Sequence, residues 1–172
     1  MIGGDNPEFT LSGDLLKKII SDILRSCESN NAELLVTTSR RTNKEQESII
    51  KDVLVRNPRC KLLVIANENN PAGTLAGILA LSDIIVVSGE SISMVSESVS
   101  SGKKTIAFSL GKKKGRITKH ELVLENLVKE GCISVARTGE LISLIGRALK
   151  DSRPAKKIND TDKIYEAMRS LI

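Results

Sequence analysis

Short apolar runs alternate with amphipathic segments along most of the chain. Leu34-Leu35-Val36, Leu62 to Ile65, Ile84 to Val87 and Thr105 to Phe108 are nearly uninterrupted, and Ile133-Ser134-Val135 is a weaker run of the same kind. Runs this short and rich in β-branched residues predict strands. Between them, apolar residues recur at helical spacing over residues 12–27, 43–56, 72–81, 91–101, 119–130 and 138–150. Two of these segments open on capping boxes, Asn43 with Gln46 and Thr118 with Glu121. Gly131 stands where a C-terminal cap glycine belongs. Strands that are apolar throughout, separated by helices, imply a parallel sheet covered on both faces. The expected fold is therefore α/β, a doubly wound, Rossmann-like parallel sheet of about six strands with right-handed crossovers.

The pattern gives one domain over residues 1–150. Residues 151–172 form a polar linker to about Asp160 and an amphipathic helix from Asp162 to Leu171, expected to pack back on the domain or on a neighbouring copy. At the other end only Met1-Ile2 precede the glycine turn Gly3-Gly4, where a strand ordinarily runs to ~5–6 residues. That opening predicts a piece of a longer protein whose N-terminal partner domain is missing from this chain.

Composition narrows the functional classes. With no Trp, one Tyr and two Phe, the core must be Ile, Leu and Val, and base stacking on aromatic platforms is nearly excluded. Nucleic acid is not an expected partner. The net charge of +5 is concentrated in Lys103-Lys104, Lys112 to Arg116 and Arg153 to Lys157. These clusters fit a solvated surface first, and anionic ligands or peripheral contact with lipid headgroups second. Cys27, Cys60 and Cys132 are odd in number and lack metal-ligand spacing, which predicts free thiols in a reducing compartment. Without a leader-like start or a run approaching ~20 apolar residues, a soluble, cytoplasmic chain is expected.

Candidate chemistry lies in the loops at the carboxyl ends of the strands, where doubly wound sheets bind ligands. Gly3-Gly4-Asp5-Asn6 permits close backbone approach, although a plain strand-to-helix turn explains it equally well. Thr37-Thr38-Ser39-Arg40-Arg41-Thr42 offers hydroxyls and two planar guanidiniums suited to phosphate, against salt bridges to a helix end. Asn69-Asn70-Pro71 is a turn signal first and a ligand contact second. The richest loop is Ser88-Gly89-Glu90-Ser91-Ile92-Ser93-Met94, followed by Glu97. A strand entering a small-residue turn and then a helix aims free N–H groups and the positive end of the helix dipole at one point, a ready anion site. Neither GxGxxG nor GxxxxGK[ST] is present, which argues against a nicotinamide dehydrogenase and a P-loop ATPase. The lone His120 reads as a surface residue, and neither a nucleophilic triad nor a metal cluster can be assembled.

Taken in order, these loops resemble the family named for plant mitochondrial-fission proteins, whose bacterial members look like GT-B glycosyltransferases. The resemblance rests on Ile2 to Asn6, Leu35 to Thr42, Asn70-Pro71, and Asp83 through Glu97 to Gly102-Lys103, within residues 1–110. Ala72 stands where the family tends to have Tyr, and Lys104 where Pro commonly follows Gly-Lys. More distantly, Asp83 to Phe108 resembles the donor-binding segment of the peptidoglycan N-acetylglucosaminyltransferase. The resemblance implies the C-terminal, nucleotide-sugar-binding half of a metal-independent transferase, with UDP or a UDP-sugar as ligand and no cofactor. Ser91 to Met94 would hold the diphosphate, Glu97 would contact the ribose, and Gly3, Gly4, Asp5, Asn6, Ser39, Arg40, Arg41, Asn70, Gly89 and Glu90 would complete the site. Such a half has no catalytic residue of its own and would be inactive alone. The competing reading is a non-catalytic interaction module that binds protein partners or anionic surfaces. A nucleotide-sugar epimerase is disfavoured, because Tyr165 has Arg169 rather than Lys four residues on.

Overall fold

The computed structural model describes residues 1–113, 115 and 117–158. In chain order the elements are β1 (Phe9–Thr10), α1 (Gly13–Ser29), β2 (Leu34–Thr37), α2 (Lys44–Leu54), β3 (Cys60–Val64), α3 (Thr74–Leu81), β4 (Ile84–Ser88), α4 (Ile92–Ser100), β5 (Lys104–Phe108), β6 (Gly111–Lys112), α5 (Lys119–Lys129), β7 (Ile133–Ala136) and α6 (Leu141–Lys150). The six helical segments read from the apolar spacing up to residue 150 are present, with ends moved by a few residues. Both capping boxes form: the Asn43 and Thr118 side chains accept from the backbone N–H groups of Gln46 and Glu121, and their own N–H groups donate to the Gln46 and Glu121 side-chain oxygens. Gly131 follows the last turn of α5 at φ +73°, a left-handed conformation that glycine adopts at little cost.

The result is a mixed α/β structure with parallel sheets, compatible with a Rossmann-like fold. Its paired strands differ from the expected continuous sheet of six. β2 pairs in parallel with β3, and β5 lies between β4 and β7 in a second parallel sheet. Met1 and Ile2 lie between the two sheets. The Met1 amine donates to Val86 O (2.8 Å), Ser88 N–H donates to Met1 O (3.1 Å), and Ile2 N–H donates to Thr37 O (2.9 Å). Two residues reach both neighbours but give only an isolated bridge, Ile2 to Thr38.

Strand alternation divides the interior in two. Val36, Ile106 and Phe108 face a cluster completed by Leu16, Ile20, Ile50, Leu54, Leu141 and Ile145 of α1, α2 and α6. Ile85, Val87, Ala107 and Ile133 face a second cluster with Val95, Val99 and Leu127 of α4 and α5, which Leu75 and Leu79 of α3 also join. Helices thus cover both faces, as uniformly apolar strands require. β3 departs from that expectation, since Lys61 and Leu62 are exposed at its outer side. An antiparallel pairing of β1 with β6 adds a small ladder that the sequence did not signal.

Beyond α6 the chain runs back over the domain. Lys156 Nζ donates to Glu130 O (2.9 Å), and Ile158 packs on the cluster that holds Met1 and Val99. The expected helix from Asp162 to Leu171 lies outside the described residues.

Candidate functional site

The loops at the carboxyl ends of β2, β4 and the Met1–Ile2 segment converge, and they are tied together chiefly by backbone bonds to buried side chains. Gly3 N–H donates to Ser88 Oγ (2.6 Å) and Gly4 N–H to Glu90 Oε1 (2.9 Å). A Cβ on Gly3 would lie 1.7 Å from Glu90 Oε1, and one on Gly4 would lie 2.1 Å from Arg41 O. The glycine pair is therefore needed for close approach, but what approaches is the protein's own carboxylate and main chain. Thr42, also buried, donates its hydroxyl to Gly3 O (2.7 Å) and accepts from Ser39 N–H (3.1 Å), locking the arginine loop to the glycine turn.

Glu90 is the unusual group here. It is 2% exposed, and its Oε2 has no hydrogen-bond partner among the described residues. Burial pushes its carboxyl above the usual range, because a desolvated carboxylate is disfavoured. The Gly4 N–H, its own N–H, the Ser88 hydroxyl and the Arg41 charge oppose that shift. Arg41 Nη2 stands 3.7 Å from Glu90 Oε1 with its side chain about half exposed. Arg41 thus approaches the buried acid with one terminal nitrogen while much of its side chain stays in solvent. Arg40 is exposed.

Asp5 and Asn6 serve the turn into β1. Asp5 accepts from Leu11 N–H (2.8 Å) and from Gln46 Nε2 (3.1 Å). Asn6 Oδ1 accepts from the N–H groups of Glu8 and Phe9 (2.8 and 2.7 Å), a local side-chain turn. Ser39 Oγ accepts from Arg41 N–H (3.1 Å), which shapes the arginine loop from within. Gly89 is buried against Phe108 and Leu124, and its N–H donates to Phe108 O (2.9 Å).

The start of α4 is different. Ser91 is its N-terminal cap residue but makes no side-chain cap bond, while its carbonyl accepts from Val95 N–H (2.9 Å). The N–H groups of Ile92, Ser93 and Met94 therefore precede the first intrahelical donor. Ser93 is exposed, and Ile92 and Met94 are half-buried. Along the same helix Glu97 is exposed, and it lines a surface cavity of about 450 Å³ with Asn70, Pro71, Gly73, Thr74 and Leu75. The structure thus brings Asn70 and Glu97 to one hollow, one to two turns along α4 from its uncapped start.

Two residues that organise the site were not singled out from the sequence. Thr42 was read only as the end of a hydroxyl-rich run, and Gln46 only as a cap partner. Gln46 Nε2 also donates to Leu11 O (2.8 Å), so one side chain joins α2 to the glycine turn and to the entry of α1. His120 Nδ1 stands 2.8 Å from Glu8 Oε2, beside the turn that Asn6 closes. No cluster of His, Cys, Asp or Glu able to hold a metal is found among the described residues, and none of their helices is long and apolar enough to cross a membrane.

Comparison with known proteins places this arrangement in a family. The model of the mitochondrial fission ELM1 family matches residues 1–172. The chain is also 27% identical over 176 residues to an uncharacterized protein of Rickettsia prowazekii (strain Madrid E), an alignment that takes in 98% of the chain. It spans 45% of that relative's length. No solved structure matches the chain significantly. The family match covers the whole sequence, so the chain belongs to the mitochondrial fission ELM1 family.

Proposed function

We propose that this member of the mitochondrial fission ELM1 family is the nucleotide-diphosphate-binding half of a GT-B-type, glycosyltransferase-like protein, with a UDP-sugar as the preferred ligand class. The observation that carries the reading is the uncapped start of α4 beside a hollow lined by Asn70 and Glu97. Three N–H groups and the helix dipole favour a diphosphate at Ile92 to Met94. Glu97 can accept hydrogen bonds from a ribose diol, and the Asn70 amide can read sugar or base. Arg41, anchored on Glu90 but half exposed, and the exposed Arg40 supply positive charge at the same end of the sheets. In this reading the two parallel sheets are halves of one doubly wound sheet, with Met1–Ile2 as its middle.

The chemistry open to this half is electrostatic. Preorganised N–H dipoles and guanidinium charge stabilise a departing diphosphate without a metal, while an acceptor site and a general base belong to a facing domain. Calorimetric titration with UDP tests the reading. Saturable heat is expected, reduced at least tenfold in affinity by Glu97→Ala or Arg40→Ala. The absence of heat with any nucleoside diphosphate at millimolar concentration would count against it.

A second reading, a non-catalytic interaction module, is favoured by one observation. The donors of Gly3 and Gly4, expected to meet a ligand, are already used by Ser88 and Glu90. Under that reading the same variants leave partner binding unchanged.

A further inference from the structure

The densest positive charge on the chain lies at residues 112–119, where Lys112, Lys113, Lys114, Arg116 and Lys119 stand without an intervening acid. Neither the α4 loop nor the hollow at Glu97 uses them. The structure pins this stretch at both ends. At one end β6 pairs with β1, and Lys113 N–H donates to Glu8 O (2.9 Å). At the other, the capping box of Thr118 and Glu121 starts α5. Lys112, Lys113 and Lys119 are exposed.

Aliphatic side chains sit among those cations. Ile117 precedes the cap residue of α5 and Leu122 is its fourth residue, the two positions that a hydrophobic staple brings together. Both nevertheless face solvent: Ile117 is 69% exposed and Leu122 49%. Val123, beside Leu122, is 37% exposed. Helical spacing places Asn126 and Lys129 on the same stripe as Leu122, and both are exposed. Of the nearby acids, Glu121 is held by Lys112 (2.8 Å) and Glu8 by His120 (2.8 Å), while Glu125 is exposed one turn beyond Leu122.

This mixture of charge and aliphatic surface selects among anionic partners. A nucleic acid would use the cations but not the exposed aliphatic side chains, and the chain has few aromatic residues on which bases could stack. A stable protein interface buries ~800 Å² per partner around a well-packed centre, more than three aliphatic side chains supply. An anionic bilayer takes both features, since its headgroups attract the cations and its acyl boundary accepts the aliphatic tips. We propose that the loop at 112–117 and the outward stripe of α5 form a docking face for an anionic lipid surface, with Ile117 and Leu122 as the inserted side chains. Each cation brought to such a surface multiplies affinity roughly fivefold, so anionic lipid is strongly preferred over neutral lipid. Docking there needs no nucleotide and does not rest on the α4 site.

The test sediments the full chain with vesicles of phosphatidylcholine, alone or mixed with phosphatidylglycerol. Binding is expected only to the mixed vesicles, weakening as salt is added. Lys119→Gln should lower the affinity roughly fivefold. The double variant Ile117→Ser, Leu122→Ser should lower it at least tenfold, with the Tm unchanged because both side chains are exposed. The chain has no Trp, so a single introduced one reports insertion directly. Ile117→Trp should shift its emission to the blue on mixed vesicles. Val55→Trp, at a 64% exposed position at the end of α2, should not. No binding to mixed vesicles, full binding by the double serine variant, or an equal blue shift from Val55→Trp overturns the proposal. So does a dimer in lipid-free solution that the double serine variant disperses, which would assign the face to a second copy of the chain.

Discussion

The Met1 amine gives the sharpest stability prediction. It is buried, and burial lowers its pKa from 8.0 to about 5, because the desolvation of an ammonium outweighs the attraction of Glu90. A folded-state pKa below the unfolded value means that folding expels a proton at intermediate pH. Between pH 5 and 8 the unfolded chain binds more protons than the folded one, so stability rises with pH across that window. A drop of about three units, at about 1.4 kcal/mol each, corresponds to roughly 4 kcal/mol between the two ends. Glu90 acts in the opposite sense, since its raised pKa makes its contribution fall as pH rises through that value. Acetylation of Met1 separates the two, as it removes the amine charge and leaves Glu90 in place. Urea unfolding of the free and acetylated chains at pH 5, 6, 7 and 8.5 measures the difference. The free chain should gain about 1 kcal/mol per pH unit relative to the acetylated chain. Parallel stability curves for the two would refute the reasoning.

Other expectations follow from packing. Gly4→Ala places a Cβ against the backbone at Arg41 and should cost about 3 kcal/mol, seen as a lower urea midpoint. Gly77→Ala in α3 and Gly146→Ala in α6 enter open space, and each should raise stability by ~0.5–1 kcal/mol in the same assay. Gln46→Ala strands the Leu11 carbonyl and loses the reciprocal cap with Asn43, for a cost of about 2–3 kcal/mol in thermal or urea unfolding.

Much of the fold was legible because strands and helices announce themselves by different periods. The runs at Leu34, Ile84 and Ile106 are apolar at every position because both of their faces are covered, and Asn43 and Thr118 begin helices for a local reason. The β1–β6 ladder was not legible. Two residues carry no period, and Phe9 pairs with Lys112 from the far end of the domain. The paired strands stop short of the continuous six-stranded sheet expected, since two residues at Met1–Ile2 meet both neighbours without forming a ladder of their own.

The contacts within the candidate site were less legible than the fold, and the reason is long-range. Gly3-Gly4 signalled a close approach, expected to be that of a ligand. The approaching group, Glu90, lies 86 residues away in sequence, and no local pattern says that a carboxylate will be buried. Glu90 was counted among the ligand contacts beside Ser91, but its side chain turns inward to the glycine turn. Asp5 and Asn6 were polar residues in a promising loop, and both are used by the chain itself. The uncapped start of α4 was legible because small residues after an apolar strand predict it directly. The meeting of Asn70 with Glu97 needed the structure, because the start of α3 and α4 come together only by packing on the same apolar cluster.

The central claim is that the start of α4 and its neighbouring hollow bind a nucleoside diphosphate. Backbone amide shifts of the 172-residue chain during a UDP titration test it most directly. Saturable shifts at Ile92, Ser93 and Met94, with Asn70 moving on the same curve and a Kd below about 1 mM, are the predicted result. Amides at these positions that stay unmoved at several millimolar UDP would contradict it.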